Sequence, residues 1–497
     1  MNFSFYRLLP CIAMVAAVLT SACSVAPPAE PELPFALPEN FSATLTSGYT
    51  PVERWWRDFG DEQLDGFVET ALVRNPGVAQ ALARAQVAEA RIRLNRADQL
   101  PQAGVGLNSA RQRQNMSAMA GPLGELADDM SFISNNHNAA LDVSWELDLW
   151  GRLSALSSAA RAEFLASAEQ LRGARQSVAA QVVQLYYEIV HARAQVELSE
   201  RTVEALAEMS RQIGNRSQVG IASPADAMLA QANLGSAEAG LEQRREALAR
   251  TLRQLDVLLG YYPTGTLQTA DTLPSVPAAP AAGVPAQLLE RRPDVRAAEL
   301  ALLAAGYQLG AAERSFLPSL SLSGSAGYAS GELSGLFDSS NLVWSIAGQI
   351  MQPVFQGGRL VAQVDIAEGQ QDEALYAYVE TALNALAEVE SMLAVDTVLA
   401  RRESNLDASA SAAEEAVHMS YNRYQQGIDP FLNVLESQQR ALDGRSAHIT
   451  ARHARIENRI TLHLALGGGF EPVSPGVLAV TPVAAGSLST NPPEERR

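Results

Sequence analysis

Residues 314–324 read "RSFLPSLSLSG", and the period of the chain changes at their proline. Before Pro318, "RRPDVRAAELALLAAGYQLGAAER" is rich in Ala, Leu and charge, the composition of a helix. After it, Leu320, Leu322, Ala326 and Tyr328 alternate with Ser319, Ser321, Ser323 and Ser325, which is the period of a strand. Proline stops a helix and holds the preceding residue extended. Helix should therefore pass straight into strand here, with no loop.

The same junction occurs earlier. "RNPGVAQALARAQVAEARIRLNRADQLPQ" from Arg74 aligns without gaps to "RRPDVRAAELALLAAGYQLGAAERSFLPS" from Arg291, so Leu100-Pro101 maps to Leu317-Pro318 at an offset of 217. An offset of 207 then takes Gly220-Ile221 to Gly427-Ile428 and Leu259-Gly260 to Leu466-Gly467. A constant offset over such a distance marks an internal duplication. The first copy carries extra residues in the polar stretch "RQRQNMSAMAGPLGELADDMSFISNNH", read as a loop between two strands. Each repeat, 51–262 and 286–467, then runs helix, strand, strand, very long helix, helix. Residues 263–285 form a Pro/Ala-rich linker, and 468–497 a flexible tail.

Four runs alternate. Ala103, Val105 and Leu107 oppose Gln102, Gly104 and Asn108; Leu141, Val143, Trp145 and Leu147 oppose Asp142, Ser144, Glu146 and Asp148. The third is the Ser/Leu run, and the fourth sets Leu342, Trp344, Ile346 and Ile350 against Asn341, Ser345 and Gln349. Each is about 8–12 residues, the length a tilted strand needs to cross a bilayer. Lipid tolerates no open sheet edge, and four strands are too few to close, since barrels begin at about eight. Three copies would supply about twelve. Asp142, Glu146 and Asp148 would then face a water-filled lumen and mildly favour cations.

From Gly151 to Gly214 there is no proline, enough for a helix of roughly 96 Å. Val178, Val182, Leu185, Ile189, Ala192 and Val196 keep a 4-3 spacing, and Leu234, Leu241, Leu248 and Leu255 recur every seven residues, as do Leu435, Leu442, Ile449 and Ile456. These are coiled-coil seams. The fold class that follows is a mixed α/β membrane protein, with a barrel of four strands per chain continued by a helical coiled-coil tunnel.

At the front, Arg7 and the apolar run before "SAC" have the form of a secretory signal peptide, residues 1–22. Leu19-Thr20-Ser21-Ala22-Cys23 resembles a lipobox, with Cys23 the acylated residue and 23–50 an extended linker behind it. Cys11, the other cysteine, leaves with the signal, so the mature chain has no internal disulfide and no cysteine metal site. Net charge is −18 and no residue is Lys, which argues against nucleic-acid binding and excludes P-loop and Schiff-base lysines. The histidines lack H-E-x-x-H spacing, and His448 and His453 lie five apart, off a common helix face. No catalytic, cofactor or metal residue is expected, and the Tyr186-Tyr187 pair reads as packing.

Together with "WWRDFGDEQLDGFVETALVRNP" at Trp55, "WELDLWGR" at Trp145 and "RYQQGIDPFLNVLESQQ" at Arg423, these features resemble the outer-membrane factor family of tripartite efflux and secretion systems (TolC-like channels), specifically its acylated drug-efflux branch. The resemblance covers residues 51–467. It implies a homotrimer in the outer membrane, docked to a periplasmic adaptor and an inner-membrane pump expected to be proton-driven. It implies a passive exit duct for drugs or other small molecules, not an enzyme. In relatives the second helix-helix turn closes the aperture with a Leu, a carboxylate and an Arg. Carried over, Leu432 is the constriction and Glu436 the carboxylate, while Gln439 stands in the Arg position with Arg440 beside it. Asp226 and Asp429 are further rim residues. Two other readings stay open: a channel for type I protein secretion, and a lipid-anchored coiled-coil scaffold or adhesin without a pore.

Overall fold

A computed structural model describes residues 28, 34–42, 54–115, 131–280 and 282–469. The signal sequence, Cys23 and the tail beyond residue 469 lie outside the described residues. After a 3-10 turn at Trp55–Phe59 the chain runs α1 (Glu62–Arg74), α2 (Pro76–Ala97), β1 (Gln102–Asn115), β2 (Ser131–Leu147), α3 (Arg152–Gln218) and α4 (Pro224–Leu258). It then runs α5 (Pro285–Arg291), α6 (Pro293–Arg314), β3 (Ser319–Ser330), β4 (Leu342–Met351), α7 (Arg359–Gln425) and α8 (Phe431–Ala465). The order repeats, and so do the lengths: α2 and α6 have 22 residues each, α3 and α7 have 67, α4 and α8 have 35. Among the described residues no helix is long and apolar enough to cross a membrane.

The duplicated glycines end the long helices. Gly220 and Gly427 sit at φ 77° and 73°, the left-handed region that only glycine enters without steric cost. At the first, Ile221 N–H donates to Arg216 C=O at 2.8 Å and Gly220 N–H to Ser217 C=O at 3.0 Å; at the second, Ile428 donates to Arg423 at 3.0 Å and Gly427 to Tyr424 at 2.9 Å. Each turn thereby closes the carbonyls its helix leaves open. Pro224 then starts α4, its missing N–H costing nothing in a first turn, with Ser223 Oγ accepting from Ala225 N–H at 3.1 Å.

The helix-strand junction is less abrupt than its sequence suggests. Residues 98–101 and 315–318 intervene between helix and strand as a tightened last turn, Leu100 N–H bonding Ala97 C=O at 3.0 Å and Leu317 N–H bonding Arg314 C=O at 3.1 Å. Proline bars the strand's first backbone donor, so the helix winds down before it. Side chains add further bonds to carbonyls of these turns. Gln102 Nε2 donates to Ala97 O and Trp145 Nε1 to Gln99 O at 2.8 and 2.9 Å; Gln352 Nε2 donates to Phe316 O and Trp150 Nε1 to Pro318 O at 2.8 and 2.7 Å.

Contacts divide the chain into two compact units. The first holds the sheet, within Val87–Leu165 and Glu299–Ala377. The second takes Ala166–Ala298 and described residues of the stretches before Val87 and after Ala377. Its core joins Trp55, Trp56, Phe59, Leu64, Tyr186, Tyr187 and Ile189 to Leu255, Ile456 and Ile460. Every seam position named above is buried or half-buried. Tyr186 and Tyr187 are wholly buried, with Tyr186 Oη donating to Asp61 Oδ2 at 2.6 Å; burial pushes both phenols well above their ordinary pKa. The linker lies against this body: Arg193 bonds Thr269 O at 2.8 Å and Arg452 bonds Leu273 O at 2.9 Å. Of the N-terminal stretch, Phe41 is buried beside Leu288 and Val389.

Candidate functional site

β1 to β4 form one antiparallel sheet in chain order. The register decides its chemistry, because directly opposed residues share a face. Val105 pairs Leu141, Leu141 pairs Ala326, and Ala326 pairs Trp344. Trp145 likewise pairs Leu322, and Leu320 pairs Ile350. The opposite face carries Gly104 and Asp142, then Ser325 and Ser345, in one row. The four strands thus bring most of their large apolar residues to one side and Asp142 and the serines to the other. Val343 and Met351 of β4 are exceptions on the serine side, and Arg111 and Asn135 continue the apolar side beyond its apolar part. The apolar side is bare in the single chain: Val105 is 86% exposed, Trp344 72% and Ile346 80%. The polar side is concave, with a hollow of about 490 Å³ lined by Gln102, Asp142, Ser144, Ser323, Ser325 and Ser345.

β1 and β2 are longer than the alternating runs predict, 14 and 17 residues. They extend through pairs such as Arg111 with Asn135 into the stretch read as a loop. Backbone pairing needs no apolar face, so hydrophobic alternation marks only the part of a strand that has one.

The three carboxylates expected on the strand's polar side are placed differently from one another. Asp142 lies on that face, in the hollow. Glu146 accepts from Arg152 at 2.7 Å. Asp148 falls past the end of β2, where its carboxylate accepts from Leu153 N–H at 2.9 Å and from Ser154 N–H and Oγ at 2.7 and 2.6 Å. It caps α3, whose first-turn donors have no partner within the helix.

At the other end of the long helices, the α3–α4 and α7–α8 turns share a small core. Phe431, 1% exposed, packs with Met209, Ile213, Ala230, Tyr424 and Val434. The Tyr424 and Phe431 rings lie 5.3 Å apart, and Arg216 stands 5.5 Å over the Tyr424 ring. Tyr421 Oη bonds Gln212 Oε1 across the turns. Asp429 receives Arg423 Nε at 2.5 Å and Nη2 at 3.1 Å, and those bonds hold its carboxyl below the usual range. Burial, with Asp226 nearby, raises the Tyr424 phenol. Leu432, Glu436 and Gln439 follow at i, i+4 and i+7, one stripe of α8, and all three are exposed. Glu436 pairs loosely with Arg440 at 3.4 Å, and Gln439 donates to Asp443 at 2.9 Å. Sequence reasoning passed over Phe431 and Arg423. The available signal was an aromatic at a helix start, with Val434 and Leu435 one turn on.

Residues 67–261 and 284–468 match the profile of the family described as outer membrane efflux protein. The chain is 33% identical to outer membrane protein OprJ of Pseudomonas aeruginosa over 472 residues, covering 92% of this chain and 95% of that one. It is 30% identical to cation efflux system protein CusC of Escherichia coli over 473 residues, covering 93% and 99%. A crystal structure of a membrane protein from Pseudomonas aeruginosa superposes with a TM-score of 0.81 at 32% identity, covering 92% of this chain and 100% of that one. With most of its length matched in two long segments, the chain belongs to the outer membrane efflux protein family.

Proposed function

We propose that this chain is the outer-membrane exit duct of a tripartite efflux system, passively conducting small molecules passed on by a periplasmic adaptor and an inner-membrane pump. The carrying observation is the sheet. Its register aligns a largely apolar, bare face against a concave face lined by Asp142 and serines, and it leaves β1 and β4 as outer edges. In water an apolar face of that extent would aggregate; in lipid it is the required exterior, provided the edges close. Three copies, each joining its β4 to the next copy's β1, make a twelve-stranded barrel. The polar hollow then becomes the lumen, with Asp142 on its wall. Relatives differ in what they are named for, CusC for cations, so cargo selection is assigned to the pump.

Two parts of this reading are the expectations carried by the family resemblance. Leu432, Glu436 and Gln439 form the stripe lining the periplasmic narrowing, with Asp226 and Asp429 at its rim, and acylated Cys23 anchors the chain. Native mass spectrometry of protein extracted from outer membranes in mild detergent tests the assembly and the anchor. A trimer is expected, each subunit heavier by its acyl groups. A monomer or dimer under several gentle conditions would overturn the barrel.

A further inference from the structure

A duct has no use for a cluster that lies in the second unit. Glu188 and His191 stand one turn apart on α3, and His453 comes to them from α8. Glu188 Oε2 lies 3.5 Å from His191 Nδ1 and 3.4 Å from His453 Nε2. The imidazoles stack with centroids 4.7 Å apart and planes 16° from parallel. Neither of the ring nitrogens facing the carboxylate makes a hydrogen bond, and the His453 side chain is 6% exposed. A buried nitrogen left without a partner is costly.

The spacing matches a known coordination. Two donors each bonded to one tetrahedral zinc ion at its usual bond length stand about 3.4 Å apart, which is the separation of Glu188 from both imidazoles. All three ligand atoms lie within 4.8 Å of one another, and for both imidazoles to aim a ring nitrogen at one ion the stacked rings must turn toward it. Of the far nitrogens, which a metal-bound imidazole uses to fix its orientation, one is hydrogen-bonded and the other faces a carboxylate at longer range. His453 Nδ1 faces the Glu457 carboxylate at 4.0 Å, and His191 Nε2 meets Thr450 Oγ1 at 3.4 Å. A way in exists as well: Glu188 and Glu457, with Gln181, Gln184 and Gln254, line an open cavity of about 570 Å³.

We propose that Glu188, His191 and His453 form a divalent transition-metal site of the zinc type, with its fourth position open to this cavity. Two imidazoles and a carboxylate suit zinc, cobalt or nickel and are too few oxygens for calcium or magnesium. The ion would bind α3 of the first repeat to α8 of the second, 262 residues apart between the histidines, as a removable staple.

Cobalt is the probe. Tag-free, chelator-treated trimer titrated with Co²⁺ should develop visible d–d absorption saturating at about one ion per chain. His191→Gln/His453→Gln should abolish the band, whereas His418→Gln, an exposed histidine elsewhere on α7, should keep it. Zn²⁺ should displace the band and raise the Tm of the chelated wild type but not of the double variant. Should the double variant fail to assemble, Glu188→Gln takes its place and should weaken Co²⁺ binding at least tenfold. No band in the wild type, or a band that survives loss of these ligands, would overturn the site.

Discussion

The sheet and the helical body contain similar residues turned opposite ways. In the body, Trp55 and Ile189 are at most 1% exposed and belong to one core with Tyr186 and Tyr187. In the sheet, Trp344, Ile346 and Val105 are mostly bare. Hydrophobic burial is driven by removal from water, whatever replaces it. The body finds that replacement within the chain. The sheet finds none there, and its register makes the deficit one-sided. What differs between the regions is the solvent each is made for.

Three substitutions probe this contrast. Trp55→Ala opens a cavity in the body and should cost about 3–5 kcal/mol, read as a lowered thermal midpoint of the trimer in detergent and in lipid alike. Ile346→Arg puts a charge on the apolar face and should cost about 2–4 kcal/mol, but only in bilayers. Ser345→Arg, one residue away on the polar face, should be nearly silent. If the two arginines destabilise equally, the faces are wrongly assigned.

Acid should distinguish the regions too. His463, stacked on Trp55 at 5.2 Å and 2% exposed, is lowered by burial to about 4 from an ordinary 6.5. The folded body keeps it neutral while the unfolded chain would protonate it, so its full contribution is present above pH 6.5 and is lost as pH falls toward 4. The loss is roughly 3 kcal/mol at its limit. Melting curves between pH 7.5 and 4.5 should show His463→Gln losing less stability than the wild type. The smallest effect on stability is expected at the turns. Leu432→Ser, on an exposed stripe, should change stability by no more than about 0.5 kcal/mol while raising conductance of the resting trimer in planar bilayers. An unchanged conductance would remove Leu432 from the narrowing.

Much of the architecture was legible because it is periodic. Alternation in "SLSLSG" and in "NLVWSIAGQI" marks β3 and β4, the heptads mark the seams, and the constant offset pairs Gly220 with Gly427 before any φ angle is known. The less legible features are relations between distant residues or between neighbours of like character. Phe431 and Leu432 are adjacent and apolar, yet one is buried and the other 56% exposed. Asp148 continues the alternation of β2 in sequence but leaves the strand to cap a helix.

By itself, then, the sequence determined the elements, their duplication and which residues of each strand share a face, because these follow from local backbone geometry and a repeating hydrophobic pattern. Only the tertiary structure decided that the four strands align those faces into one, that indoles from Trp145 and Trp150 close the helix-strand junctions, and that His191 meets His453 over Glu188. Each of these depends on the register in which separate segments pack, and no period within a single segment records it.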